Sequence, residues 1–398
     1  MTRAGTTIEI LLIGGGVASV RCARTLRREG FDGRIILVGA EPSPPYNRPP
    51  LSKELLRDDL PDELVLAEPE RWYERRSVEL VTGRRVSALD LDARHATLDD
   101  GTAIAFERCL IATGARPREL NVEGGEGTLL LRTLSDARAL RSRAIGAGPG
   151  SRVTVIGGGF IGVEVASGLA ALGMRATILE MGDRLWAGAL GDELDAWARE
   201  RLAAAGIEVR LGATVTRLEE SAAWVADERR DHEFSVAGIG VVPRTELAEA
   251  AGLTVDDGIV TDGEHRTSDR SVWAAGDVAR VGGRRIEHWH AAREGGERVA
   301  LSMLGEALAP PRAPWVFSEV AGELLDVVGW SPAWDETIVL GDPDSSAFAV
   351  AYVADGEIRQ VAVVNGAIPI EEARAFVERH PSATNVQELD ALRAPAGG

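Results

Sequence analysis

The chain has 398 residues, of which 45% are hydrophobic and 27% charged, with a formal net charge of -18. That length exceeds what one hydrophobic core usually organises, so an ordinary globular composition predicts two or three domains. The acidic balance excludes a general nucleic-acid binder and opposes docking on anionic membrane, and no apolar stretch reaches the length of a membrane helix.

Residues 8–13 form a short apolar run after a polar start, and they enter a Gly-rich turn. The run therefore reads as a first strand rather than a secretion signal. Gly14-Gly15-Gly16 follow, then helical spacing over residues 17–28 and a second strand over 35–38 that ends near Glu41. Tyr46-Asn47-Arg48-Pro49-Pro50-Leu51-Ser52-Lys53 is a Pro-rich loop in which Pro49-Pro50 predicts extended backbone. A strand over 109–112 feeds Thr113-Gly114.

The opening pattern then returns. Residues 152–156 predict a strand, Gly157-Gly158-Gly159 the turn, 160–172 a helix, and 176–179 a strand ending at Glu180. Ile13-Gly14-Gly15-Gly16-Val17 can be laid over Ile156-Gly157-Gly158-Gly159-Phe160, which implies two similar domains. A strand over 271–275 feeds Gly276-Asp277, and His288-Trp289-His290 alternate as in a strand. From about Pro310 the runs 347–353 and 360–365 suggest an antiparallel domain, closed by a helix over 370–379 and a tail-like 394–398.

A Gly-rich turn between strand and helix lets backbone N–H groups approach a pyrophosphate, and the helix start adds positive potential. An acid at the end of the next strand then accepts from ribose hydroxyls. The second copy carries Gly157, Gly159, Gly162 and Glu180; the first carries Gly14, Gly16 and Glu41, with Ser19 where the third glycine would stand. Glu180 disfavours a 2′-phosphate and so favours NADH over NADPH, a preference that nearby Arg184 would soften. Two dinucleotide sites in one chain suggest resident FAD and visiting NADH. Cys22 and Cys109 lie far apart with no CxxC, which excludes a thioredoxin-type redox disulfide and fits a reducing cytoplasm. The six histidines show no metal-ligand spacing.

With those motifs in place, the chain resembles the FAD-dependent NAD(P)H:ferredoxin reductases of oxygenase and cytochrome P450 systems. The residues that carry the resemblance are the loop at 46–53, Ile111-Ala112-Thr113-Gly114, Gly238-Ile239-Gly240-Val241-Val242-Pro243, Ala275-Gly276-Asp277-Val278-Ala279 and Glu287-His288-Trp289. It implies an α/β protein of the glutathione reductase type, with two Rossmann-like domains and a C-terminal α+β domain. The FAD domain would use residues 1–116 and 245–310, the NAD(H) domain 117–244 and the third domain 311–398. It further implies Lys53 and Glu164 as the catalytic pair beside flavin and nicotinamide. Arg48, Thr113, Gly114, Asp277 and Trp289 join Lys53 in binding the flavin, with helix capping as the alternative for Asp277 and core packing for Trp289. Asn47 departs from the family's Asp, Phe317 from its Trp and Glu319 from its Asp. The implied partner is a small [2Fe–2S] ferredoxin serving a P450 or ring-hydroxylating oxygenase, with the protein a monomer or homodimer. Two rivals stay open: a stand-alone flavoprotein reducing oxygen, a quinone or a metabolite, and a redox sensor similar to apoptosis-inducing factor.

Overall fold

The computed structural model describes residues 9–393, so the expectations for residues 1–8 and 394–398 lie outside it. The chain forms two compact units. One comprises residues 9–48, 61–116 and 242–310; the other comprises 49–60, 117–241 and 311–393.

The first unit is built on a parallel sheet in the order Val272–Ala274, Arg108–Ile111, Glu9–Ile13, Arg34–Val38, Val78–Val81. Its inner strands read as apolar runs after a charged first residue because both faces are covered, whereas edge strand Val78–Val81 carries an exposed Glu79. Ile10 and Leu12 pack with Ala18, Leu26 and Val299 on one face, while Leu11 and Ile13 pack with Val86, Leu98 and Val278 on the other. Helix Trp289–Leu304 lies against helix Val17–Arg28. Gly296 permits the approach, since a Cβ there would sit 2.1 Å from the Ala18 carbonyl oxygen. Parallel strands end on one edge, so the first Gly turn, Glu41, Thr113-Gly114 and Gly276-Asp277 all follow carboxyl ends of the same sheet.

The second unit repeats the design. Its parallel sheet runs Glu208–Arg210, Arg175–Leu179, Arg152–Ile156, Phe234–Ala237, Leu129–Leu130. Helix Phe160–Ala171 is buried continuously from Gly162 to Leu169. The C-terminal region adds an antiparallel sheet in the order Trp315–Val320, Glu323–Gly329, Glu357–Val364, Ala349–Ala354, Glu336–Leu340. Strand alternation divides it. Ala349, Ala351 and Val353 pack with Phe376 of helix Ile370–Val377, while Val350 and Tyr352 join the core that contains Val155, Val163 and Trp197.

The α/β architecture is the expected one, and the element ends differ from expectation by a few residues. Two local expectations are corrected. Pro49–Ser52 is a 3-10 turn rather than extended backbone, because a proline's fixed φ suits the first turn of a helix. His288-Trp289-His290 is a helix start, in which the His288 ring accepts from the His290 N–H and caps Trp289–Leu304. Residues 49–60, inside the 1–116 segment, fold into the second unit, where Leu56 packs with Val163 and Ala166.

Candidate nucleotide sites and reaction centre

At the first turn, Gly14 holds a φ of 116°, and a Cβ there would lie 2.1 Å from the Ala112 carbonyl oxygen. Only glycine fits. Gly16 precedes the helix, and a Cβ on it would meet nothing within 4 Å, so the space over the turn is open to a ligand. The Ser19 side chain is fully buried, and its Oγ has no hydrogen-bond partner among the described residues. An open cradle at a helix start with an orphaned hydroxyl fits a dinucleotide pyrophosphate. Glu41 accepts from the Tyr46 hydroxyl at 2.6 Å and from Arg48 at 2.9 Å, and the Arg48 guanidinium stacks over the Tyr46 ring. Arg48 thus braces the loop to Glu41, whose carboxylate keeps lone pairs for ribose hydroxyls.

Thr113 and Gly114 are tied to one return strand. The Thr113 hydroxyl donates to the Arg244 carbonyl at 2.8 Å, and the Arg244 N–H donates to the Gly114 carbonyl at 2.9 Å. Asp277 is half-buried in a turn that leads into strand Ala279–Val281, so it caps no following helix. Trp289 is half-buried, and its indole N–H donates to Asn47 Oδ1 at 3.0 Å. Asn47 therefore keeps the acceptor that an Asp would offer and adds an amide donor to the Leu66 carbonyl.

At the second turn, Gly157 holds a φ of 103°, with a Cβ placed 2.5 Å from the Gly238 carbonyl oxygen. A Cβ at Gly162 would lie 2.0 Å from the Gly157 carbonyl oxygen, so helix and turn approach as the third glycine allows. Gly159 precedes helix Phe160–Ala171. Glu180 accepts from the Gly158 N–H at 2.5 Å and the Gly182 N–H at 2.7 Å, one on each oxygen, and so faces the turn. Arg184 is held by Asp192 at 2.7 Å and Asp183 at 3.3 Å. Those carboxylates occupy the cation that the sequence offered as softening the preference against a 2′-phosphate.

Lys53 and Glu164 meet. The ammonium lies 2.7 Å from Glu164 Oε1, with both side chains nearly inaccessible. Ser52 donates to Glu164 Oε2 at 2.5 Å and Ser318 to Oε1 at 2.7 Å. Three donors on one buried carboxylate fix its orientation. Phe317 places its ring under the Lys53 ammonium at 5.6 Å, and Glu319 pairs with Arg57 on the helix that Lys53 precedes. The two departures in strand Trp315–Val320 thus both act on the Lys53 segment.

The family model for pyridine nucleotide-disulphide oxidoreductases matches residues 8–296, and a reductase C-terminal model matches 315–393. The chain belongs to the pyridine nucleotide-disulphide oxidoreductase family. It is similar to the ferredoxin reductase component of chlorobenzene dioxygenase from a Cupriavidus species, at 38% identity over 93% of this chain and 94% of the relative. It is also similar to the ferredoxin–NAD(+) reductase component of the biphenyl dioxygenase system of Paraburkholderia xenovorans, at 35% identity over 96% of each. Among solved structures, the covalent putidaredoxin reductase–putidaredoxin complex matches with a TM-score of 0.89 and 31% identity over 94% of each chain.

As a member of this family the protein is an FAD- and NADH-dependent oxidoreductase. It differs from members that work through a dithiol. Cys22 and Cys109 are both free, and burial pushes both thiols up, so neither offers a thiolate at neutral pH. Among the described residues no helix is long and apolar enough to cross a membrane. Sequence reasoning missed Ser52 and Ser318 as Glu164 donors. Ser52 lies in the loop at 46–53 and Ser318 between Phe317 and Glu319, but a serine beside a functional residue carries no signal until the fold brings positions 52, 164 and 318 together.

Proposed function

We propose that this protein carries electrons from NADH through FAD to a small [2Fe–2S] ferredoxin that serves a P450 or ring-hydroxylating oxygenase in the cytoplasm. The observation that carries this reading is the buried Lys53–Glu164 pair in a chain that resembles ferredoxin reductases along almost its whole length. Residues 1–116 and 245–310 take the FAD role, 117–244 the NADH role, and 311–398 form the third domain.

Bound FAD supplies the ability to accept two electrons as hydride and to release them singly. The chain's own residues do the rest. Backbone N–H groups at Gly14, Gly16 and the following helix start hold the FAD pyrophosphate, with Ser19 within the same helix start. Glu41 accepts from the ribose, and Arg48 keeps that carboxylate in place. Thr113, Gly114, Asp277 and Trp289 would help to hold the flavin. The turn of Gly157, Gly159 and Gly162 holds NADH, and Glu180 uses its free lone pairs on the adenosine ribose. Lys53 would supply the positive charge that favours reduction of the bound cofactor. Glu164, locked by Ser52 and Ser318, fixes where that ammonium sits. No general acid or base is required for hydride transfer, and positioning lowers the barrier.

The formal charge of -18 favours a second reading, a flavoprotein that reduces oxygen, a quinone or a metabolite, because ferredoxins are commonly acidic and like charges slow docking. Anaerobic stopped-flow with NADH, followed by reoxidation with [2Fe–2S] ferredoxin, air or quinone, separates the two. Rapid bleaching followed by ferredoxin-selective reoxidation is expected. Selective reoxidation by oxygen or quinone would establish the second reading, and a flavin that NADH cannot bleach would end both.

A further inference from the structure

The stretch after Glu180 has no regular structure from residue 181 to 191, yet Leu185, Trp186 and Leu190 within it are buried. Trp186 has a φ of 52°, in the left-handed region that bulky residues avoid, and its indole N–H has no partner among the described residues. Both features cost free energy and persist only where the surroundings hold them. This strained turn bears on the second Gly turn. The Trp186 N–H donates to the Gly158 carbonyl at 3.0 Å, and its ring lies 5.7 Å from that of Phe160, the first residue after Gly159. Leu185 comes so close that a Cβ at Gly158 would be 2.6 Å from it.

The support for this turn comes from the C-terminal sheet. The Gly191 N–H donates to the Tyr352 hydroxyl at 3.1 Å, from strand Ala349–Ala354. Gln360, on strand Glu357–Val364, donates to the Ala189 carbonyl at 2.9 Å, while its own carbonyl accepts from the Ser331 N–H at 3.1 Å. The Thr337 hydroxyl donates to Glu193. Tyr352 and Gln360 are both buried, and the bonds from Gly191 to Tyr352 and from Ser331 to Gln360 are made out of reach of competing water.

We propose that Tyr352 and Gln360 are positioning residues for NADH. Through Gly191 and Ala189 they hold the strained Trp186 turn against Gly158, and so set the loop that receives the pyrophosphate and the adenosine ribose. The C-terminal sheet then belongs to the NADH-binding machinery although it places no group on the Gly turn itself. The inference rests on assigning the second turn to NADH and is independent of the electron acceptor.

The test uses the holoenzyme and two variants, Tyr352→Phe and Gln360→Met, with ADP-ribose as the probe. Tyr352→Phe takes the acceptor from the Gly191 N–H, and Gln360→Met takes the partners from both the Ala189 carbonyl and the Ser331 N–H. The ADP-ribose dissociation constant, measured by calorimetry, is expected to rise about tenfold in each. KM for NADH should rise with it, while FAD content and the limiting rate of flavin reduction stay within about twofold. An ADP-ribose affinity unchanged in both variants would overturn the proposal, whatever happens to thermal stability, and so would loss of FAD in step with loss of ADP-ribose. A parent enzyme that binds no ADP-ribose would instead remove the NADH assignment. Failure to reduce ferredoxin would touch neither result.

Discussion

Glu164 sits in a nearly inaccessible place, with Lys53, Ser52 and Ser318 on its two oxygens. Glu164→Gln keeps the shape and removes the charge, leaving the Lys53 ammonium buried without a counter-ion. Breaking one side of a buried pair typically costs about 3–5 kcal/mol. Urea unfolding is expected to register a loss of that order, and reduction of the flavin by NADH to slow by at least about tenfold. Unchanged values of both would mean that the pair neither stabilises the unit nor positions Lys53. His265 gives a second residue-level expectation. Its Nδ1 faces the Ala274 carbonyl at 3.0 Å, so that nitrogen carries the proton, and burial pushes the imidazole pKa down to about 4. Below pH 6.5 the unfolded chain takes up a proton that the folded one refuses. Stability is therefore expected to fall as the pH drops from 6.5 toward 4, by roughly 3 kcal/mol at most from this group. Burial lowers His232 as well, and it contributes with the same sign. In His265→Asn, whose side chain tolerates the left-handed φ of 66°, denaturant midpoints at pH 6.5 and 4.5 should draw together. Parallel pH slopes in parent and variant would place the acid sensitivity elsewhere.

At the scale of elements, each nucleotide site is a strand, a turn and a helix start, and the turn is the intolerant part. Gly157→Ala puts a methyl 2.5 Å from a backbone carbonyl at a φ of 103°, where the backbone itself resists any side chain. The variant should bind NAD+ at least about tenfold more weakly by calorimetry while retaining FAD; retention of full affinity would show that the turn can relax. The acid after the next strand sets selectivity. Glu180→Arg removes a carboxylate that faces the turn and adds a cation, so the kcat/KM ratio of NADPH to NADH should rise by at least about tenfold. A flat ratio would mean that the ribose is read elsewhere. Both turns were legible in the sequence because the information is local: three glycines, an apolar strand before them, helical spacing after. Pro49-Pro50 and His288-Trp289-His290 were misread at the same scale. A proline pair fits an extended strand or a 3-10 turn equally, and the histidine alternation is too short to separate a strand from a cap and first helical turn.

For the whole molecule, two units with separate cores imply separate responses to ligands. Ligand binding stabilises the unit that binds by RT ln(1 + [L]/Kd), about 4 kcal/mol at a thousandfold excess over Kd. Removing FAD should therefore lower hydrogen-exchange protection in Glu9–Ile13, Arg34–Val38 and Arg108–Ile111, and leave Ala349–Ala354 and Glu357–Val364 protected. A uniform loss across all five strands would mean that the flavin stabilises the chain as one body. The sequence by itself determined the repeated α/β plan, the two Gly turns with their acids, the exclusion of a redox dithiol and the family, because each is written in short contiguous motifs. Only the tertiary structure decided which residues share a carboxylate, which way Arg48 and Arg184 turn, and what supports Trp186. The shared carboxylate and the support of Trp186 depend on side chains brought together from positions more than a hundred residues apart, such as Ser52, Glu164 and Ser318, and no local pattern records which distant partner a buried polar group will find; the two arginines choose among several nearby carboxylates, a choice that composition alone leaves open.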